Sequence, residues 1–163
     1  MISTSHLLIG AATGAATGNP AGAFFVGVAS HFAMDMVPHV DIGTFISPQR
    51  KNNLNFNKSE YVEAFADIII GGAVVLLLIF KSSHFNAVNM FWGAAGGISV
   101  DVIDNVPFWS NYTRELPIFK SMHNLHSKLH FNIDSKYWYL GTLTQVLFAG
   151  GSLFYLLKLS GII

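Results

Sequence analysis

The sequence contains no cysteine and few charged residues. Of its 163 residues, 11% are charged, whereas a soluble domain usually has about 25%. Without cysteine, disulfide bonds and thiolate metal sites are excluded, so any metal must be held by nitrogen and oxygen donors. The nine basic and nine acidic residues give a net charge of zero. Because there is no basic surplus, we expect no nucleic-acid partner.

Hydrophobic residues, by contrast, make up 52% of the chain. They concentrate in five apolar segments, at 7–18, 21–37, 61–80, 85–106 and 138–159. Polar stretches at 39–60 and 108–136 separate the later segments, and the second stretch carries three histidines. We therefore predict an all-α fold, in which residues 1–163 form a single membrane-embedded helical domain. It should contain about five apolar helices and a polar, histidine-bearing helix within 108–136.

Several local signals mark the segment ends. Asn19-Pro20 predicts a turn followed by a helix start, and Pro38 and Pro107 stop the segments before them. Segment 61–80 has about the length that crosses a hydrocarbon core. The first two segments are shorter, and the sequence leaves open whether they cross. Glycine- and alanine-rich segments allow close helix packing, within one chain or between chains, so the oligomeric state is open too.

The basic residues are unevenly distributed between the two membrane faces. If the connections alternate between faces, seven of the nine basic residues fall on the face that holds the N-terminus: Arg50, Lys51, Lys58, Arg114, Lys120, Lys128 and Lys136. The opposite face receives Lys81 and Lys158. By the positive-inside rule the first face is cytoplasmic, and we expect a protein integral to the cell's inner membrane.

Most histidines and aspartates are predicted to lie on or near this same face. His31 and Asp35 are four residues apart, so they share one side of a helix. A spacing of three and then four gives a second helix one stripe of three histidines. The full set comprises His6, His31, Asp35, His39, Asp67, Asp101, Asp104, His123, His126 and His130.

Four aspartates of this set lie inside apolar segments that contain no lysine or arginine: Asp35, Asp67, Asp101 and Asp104. An ionised carboxylate within a membrane costs a few kcal/mol, so such groups normally pair, bind a cation or line a wet cavity. A single His-x-x-x-Asp pair is more often structural than metal-binding. Carboxylates and imidazoles gathered at one end, however, favour a divalent metal, because one ion neutralises several of them.

Two motifs, together with the later histidines, resemble a known family. His6-x-x-x-Gly10 and Ser30-His31-x-x-x-Asp35-x-x-Pro38-His39-x-Asp41 are similar to motifs of the bacterial membrane-bound metal-dependent hydrolases of the YdjM type. That group distantly resembles the zinc-dependent phospholipase C and nuclease superfamily, all-helical enzymes that cleave phosphate esters with zinc held by His and Asp. The resemblance covers most of the chain loosely and residues 31–41 specifically. It implies ligand positions, with the last three matching more weakly: His6, His31, Asp35, His39, Asp101, His123 and His126.

From these observations we hypothesise a metal-dependent hydrolase of phosphate esters, with a membrane lipid or lipid-linked phosphate as substrate. The cofactor would be zinc, one ion or more, or another divalent metal. Asp67 and Asp104 would orient imidazoles or serve as alternative ligands, and His130 would act as general acid. Arg114 or Lys128 could meet the phosphate.

Three other functions remain open at this stage. Intramembrane aspartates and histidines could line a path for a divalent cation or for protons. Paired histidines could bind a haem between helices. The polar end could also merely cap a structural membrane bundle without any catalytic role.

Overall fold

A computed structural model describes residues 1–41, 58–131 and 133–163. Within these ranges the regular elements are all helical, which confirms the all-α prediction. In chain order they are α1 (Ser3–Ala15), α2 (Pro20–Asp35), α3 (Lys58–Lys81), α4 (His84–Asn105), α5 (Ser110–Thr113), α6 (Pro117–Leu129), a 3-10 turn at Ser135–Tyr137, and α7 (Trp138–Leu159). The loop predicted for 39–60 falls mostly on residues 42–57, which lie outside the described ranges.

The start of α2 follows directly from the local sequence. The Asn19 side chain accepts a hydrogen bond from the backbone N–H of Gly22 at 2.8 Å, and Pro20 occupies the first helical position. An asparagine cap satisfies one of the unpaired N–H groups of the first turn, and proline has no N–H to leave unpaired there. The turn predicted at Asn19-Pro20 is therefore confirmed.

Helix α1 occupies the centre of the bundle. It packs against α2, α3, α4 and α7, and most of its side chains are buried. Glycines line its contact with α4. A methyl group at Gly93 would overlap the carbonyl oxygen of Gly10, and one at Gly14 would lie 2.6 Å from the Cα of Gly93. These glycines let the two backbones approach closely, as the composition of the segments predicts.

Helices α3 and α7 flank this centre and expose apolar side chains on their outer sides. Ile69 and Leu77 of α3 are each 66% exposed, and Leu147 of α7 is 62% exposed. In the described part of the chain these two helices, of 24 and 22 residues, are the ones long and apolar enough to cross a membrane.

The prediction of about five apolar membrane helices is thus confirmed only in part. At 1.5 Å per residue, the 13 residues of α1 and the 16 of α2 extend about 20 and 24 Å, less than the roughly 30 Å of a hydrocarbon core. Helix α4 has 22 residues but carries Asp101 and Asp104, and it does not qualify by composition. The predicted histidine-bearing helix within 108–136 is present as α6.

Candidate metal centre

The buried carboxylate of Asp35, at the C-terminal end of α2, is the centre of a histidine cluster. Its Oδ2 lies 2.9 Å from Nε2 of His126 and 3.1 Å from Nε2 of His31. Its Oδ1 lies 3.2 Å from Nε2 of His6 and 3.9 Å from Nε2 of His39. Four imidazoles from three helices and the segment after α2 therefore converge on one aspartate that is itself 0% exposed.

The hydrogen bonds of Nδ1 identify the tautomer of three of these imidazoles. Nδ1 of His31 lies 2.8 Å from the carbonyl oxygen of Gly97, and Nδ1 of His39 lies 2.7 Å from that of Val37. Because a carbonyl oxygen only accepts hydrogen bonds, both Nδ1 atoms carry the proton. Nδ1 of His126 likewise donates to a carboxylate, that of Asp104. In each neutral ring the lone pair therefore sits on Nε2, which is the atom turned toward Asp35.

In their neutral forms these rings therefore turn acceptor atoms toward one another and toward Oδ2 of Asp35. Nε2 of His31, Nε2 of His126 and Oδ2 of Asp35 are separated by 3.4, 3.1 and 2.9 Å. Such an arrangement is repulsive unless a proton or a metal ion lies between the atoms. Ligand atoms held tetrahedrally at about 2.0–2.1 Å from zinc lie about 3.3 Å from one another. The observed separations are close to this spacing or up to about 0.4 Å shorter, so these three residues could hold a metal ion.

Two further groups adjoin the central one, and in each group the ligand atoms lie within 4.8 Å of one another. The first consists of His6, His31 and Asp101. His6 is 1% exposed and stacks on His31 at 4.0 Å between ring centroids, yet neither of its ring nitrogens makes a hydrogen bond of acceptable geometry. A buried imidazole with both nitrogens unsatisfied costs free energy, which a bound cation would recover.

The second adjoining group consists of Asp35, His39 and His130. Nε2 of His130 lies 3.4 Å from Nε2 of His39 and 3.4 Å from Oδ2 of Asp41. The backbone N–H of Phe131 donates to the carbonyl oxygen of Asp35 at 2.7 Å, which ties the end of α6 to the end of α2. Burial lowers the pKa of His130 although Asp41 attracts its charged form. A neutral ring suits a ligand or a base, and the prediction of a general acid remains untested.

Asp104 contacts His126 on the side of the ring opposite Asp35. It accepts hydrogen bonds from Nδ1 of His126 at 3.0 Å, from Nδ1 of His123 at 2.8 Å and from Nε of Arg114 at 2.8 Å. Burial opposes its charge, but these three hydrogen bonds hold the pKa of Asp104 well below its usual range. Asp104 therefore has the contacts predicted for it, as a carboxylate that orients an imidazole. His123 contacts Asp104 and stands outside all three ligand groups.

A proton competes with a metal for His126. Burial disfavours the charged form of the ring, but hydrogen bonds with Asp104 and Asp35 outweigh burial and raise the pKa of His126 to about 9. At neutral pH a proton can therefore occupy the gap between His126 and Asp35 when no metal does. Metal uptake would have to displace it, and binding would then depend on pH.

Helix α7 holds the segment that carries His39 in place. The Gln145 side chain donates from Nε2 to the carbonyl oxygen of Val40 at 2.8 Å, and Thr144 donates to that of Pro38. A methyl group at Gly141 would lie 2.8 Å from the backbone of His39. These three residues share one face of α7, and a glycine there lets the segment approach closely.

Two charged groups not predicted as site residues also reach the cluster. Oδ1 of Asp41 lies 3.2 Å from Nε2 of His39. The amino group of Met1 lies 3.0 Å from Oδ1 of Asp35 and 2.8 Å from Oδ1 of Asp41. The proximity of Asp41 to Pro38-His39 in the sequence was the available signal for it.

Asp67 has different partners from those predicted. Its carboxylate accepts hydrogen bonds from the backbone N–H groups of Ser3, at 2.5 Å, and Thr4, at 3.2 Å. These are the first two residues of α1, so Asp67 caps that helix from α3. Within the described part of the chain its hydrogen bonds are to α1, and we assign it a structural role.

Comparison with family models, with curated proteins and with solved structures found no match for this chain.

Proposed function

We propose that this chain is a membrane-embedded, metal-dependent hydrolase of phosphate esters, acting on a lipid or lipid-linked phosphate at the cytoplasmic face. The observation that carries the proposal is the convergence of His31, Asp35 and His126, whose acceptor atoms meet at 2.9–3.4 Å. Histidine nitrogen and carboxylate oxygen without sulfur form a donor set that zinc accepts, and other divalent metals remain candidates.

The geometry is compatible with two ions that share Asp35. One imidazole nitrogen binds one ion, whereas the two oxygens of a carboxylate can bridge two. His31 and His126 would hold one ion together with Asp35, and His39 would hold the second together with Asp35. Paired metals about 3.5–4 Å apart are a recurrent arrangement in phosphoryl-transfer enzymes, which supports a phosphate ester as substrate.

The membrane location is supported by the two helices that could span a bilayer and by their exposed apolar outer sides. The cytoplasmic orientation rests on the distribution of lysine and arginine. Given that orientation, α6 and the end of α2 lie near the headgroups of the cytoplasmic leaflet. A phosphate on a lipid could then reach the cluster without leaving the membrane surface.

A zinc ion held by His31, Asp35 and His126 would supply a Lewis acid for the phosphoryl oxygen and would bring the pKa of a water molecule near neutrality. Three residues of the chain would orient a ligand, transfer a proton and attract the phosphate. Asp104 holds His126 in the tautomer that presents Nε2. His130, 21% exposed at the edge of the cluster, would take a proton from the attacking water and return it to the leaving oxygen. Arg114, 23% exposed beside Asp104, would attract the phosphate.

The test begins with the metal content of the detergent-purified protein, measured by elemental analysis. The parent is compared with a His31→Ala/Asp35→Ala variant and with a control, His84→Ala/Asp134→Ala, whose exposed residues are not part of the cluster. We expect stoichiometric transition metal in the parent and control and its loss from the first variant. If no sample binds metal even after zinc is added, the hydrolase proposal fails.

Substrate class is tested next, with the zinc-loaded protein in mixed micelles. Hydrolysis of a short-chain phospholipid is compared with hydrolysis of a soluble aryl phosphate. We expect cleavage of the lipid ester, abolished in the His31→Ala/Asp35→Ala variant. A protein that binds zinc stoichiometrically but cleaves neither ester would contradict the catalytic part of the proposal and leave a metal-binding membrane protein.

Cation transport is the rival explanation for intramembrane histidine and aspartate. A transporter needs polar groups along a path through the bilayer. Among the described residues, every buried histidine and aspartate belongs to the one cluster or touches it. Zinc flux into protein-containing vesicles, absent from protein-free vesicles, would favour transport over hydrolysis.

A further inference from the structure

Helix α6 has an exposed apolar face that the metal centre does not use. Its histidines point toward the cluster, while Ile118, Met122, Leu125 and Leu129 recur at spacings of four, three and four and so form one stripe beside the histidine side. We call these four residues the α6 stripe. Ile118 is 79% exposed and Leu125 is 47% exposed, whereas Met122 and Leu129 are partly buried. An exposed apolar stripe of this kind indicates a surface that contacts a membrane or another protein.

The polar side of α6 is basic and carries no acid. Residues 117–131 include Lys120 and Lys128 but no aspartate or glutamate. Both lysines are exposed, as are Asn124 and Ser127 between them. A helix that is apolar on one side and basic on the other is typical of segments that lie in the plane of a membrane interface, where anionic headgroups attract the charges.

Exposed aromatic residues flank α6 on both sides along the chain. Before it, Phe108 is 86% and Tyr112 is 68% exposed, and Trp109 is also exposed. After it, Tyr137 and Trp138 are exposed where α7 begins. Tryptophan and tyrosine concentrate at the depth of lipid headgroups. Because α7 is one of the two candidate spans, its aromatic start marks the membrane surface, and residues 130–137 connect α6 to it.

We propose that α6 lies in the headgroup layer of the bilayer that α3 and α7 cross. The α6 stripe rests against the acyl chains, and Lys120 and Lys128 contact anionic phospholipids. This rests on the membrane location given under the proposed function, but not on hydrolysis. Since the histidine side adjoins the stripe, His123 and His126 face inward from the layer that contains lipid phosphates. In this proposal the α6 stripe therefore contacts the bilayer and not a second protein.

The absence of cysteine makes a spin-label test direct. Single-cysteine variants Ile118→Cys and Leu125→Cys place labels on the stripe, and Asn124→Cys and Ser127→Cys place matched controls on the polar side of the same helix. Ile69→Cys, on the exposed side of α3, reports whether the protein is in the bilayer. Each variant is labelled and reconstituted in vesicles of phosphatidylcholine with phosphatidylglycerol. Collision rates with oxygen, which partitions into lipid, and with a water-soluble nickel chelate are then measured.

We expect oxygen collisions to exceed nickel collisions several-fold at positions 118 and 125, and the reverse at 124 and 127. Nickel access at 118 and 125 equal to that at the controls would overturn the proposal, because the stripe would face water. Exclusion of both reagents from the stripe with spin–spin broadening would also overturn it, in favour of a second copy of the chain. If the Ile69 label is also in water, the membrane location itself fails.

Discussion

Replacing Asp104 by asparagine should weaken metal binding although Asp104 stands outside the three ligand groups. The carboxylate receives three donors: Nδ1 of His126, Nδ1 of His123 and Nε of Arg114. An asparagine of nearly the same shape has one acceptor oxygen and an NH2 group in place of the other. At least one of the three donors must then face another donor, and Arg114 loses its buried counter-charge.

The expected size follows from the role of a carboxylate behind a metal-ligating histidine. Loss of such a partner typically lowers metal affinity or activity about 10–100-fold, which corresponds to about 1.4–2.7 kcal/mol. The upper half of this range is expected, because Asp104 is 3% exposed and water has little access to replace the lost acceptor. The effect should still be smaller than that of Asp35→Asn, which alters an atom in the proposed coordination sphere.

The assay is a zinc titration of the metal-free protein in competition with a chelating dye. Asp134→Asn serves as the matched control, since Asp134 is exposed and pairs with Lys136. His123→Ala is a second comparison, and it should cost less affinity than Asp104→Asn because His123 stands outside the ligand groups. Unchanged zinc affinity in Asp104→Asn, with a normal helical spectrum, would refute the orienting role. A larger loss in His123→Ala would restore His123 as a ligand.

Three further predictions concern packing, capping and protons. Gly93→Ala should destabilise the bundle by about 1–3 kcal/mol, because its methyl group would overlap the backbone of Gly10. The control Gly72→Ala, whose methyl group would meet nothing within 4 Å, should be neutral or stabilising. Equal thermal denaturation midpoints for the two variants would contradict the close contact. Asp67→Ala should lower the free energy of unfolding by about 1–2 kcal/mol, because α1 loses its cap. The zinc stoichiometry should not change. A loss of zinc would show that Asp67 contributes to the metal site. Because the pKa of His126 is raised to about 9, calorimetry in buffers of different ionisation enthalpy should detect a proton released with each zinc at pH 7. That release should decline as the pH rises through 9, since the ring is then neutral before the metal arrives, and a release independent of pH would contradict the assignment.

The sequence alone was sufficient for the all-helical class and for placing most candidate site residues at one end of the bundle. Asparagine followed by proline is a local signal, so the start of α2 was predictable from Asn19 and Pro20. The spacing of His31 and Asp35, and of the α6 histidines, fixes which residues share one side of one helix. Those residues, with His6, His39 and Asp101, lie where the sequence predicts a common polar end.

Only the tertiary structure decided which neighbour each helix side meets. Asp67 and Asp104 have similar sequence settings, each in an apolar segment, yet one caps α1 and the other orients His126. His123 and His126 share a stripe one turn apart. In the described structure His123 hydrogen-bonds to Asp104, whereas His126 reaches both Asp104 and Asp35. Length and composition likewise did not show that α1 is covered by other helices rather than by lipid. Periodicity is a property of one segment, whereas these assignments depend on the distances between segments, which packing sets.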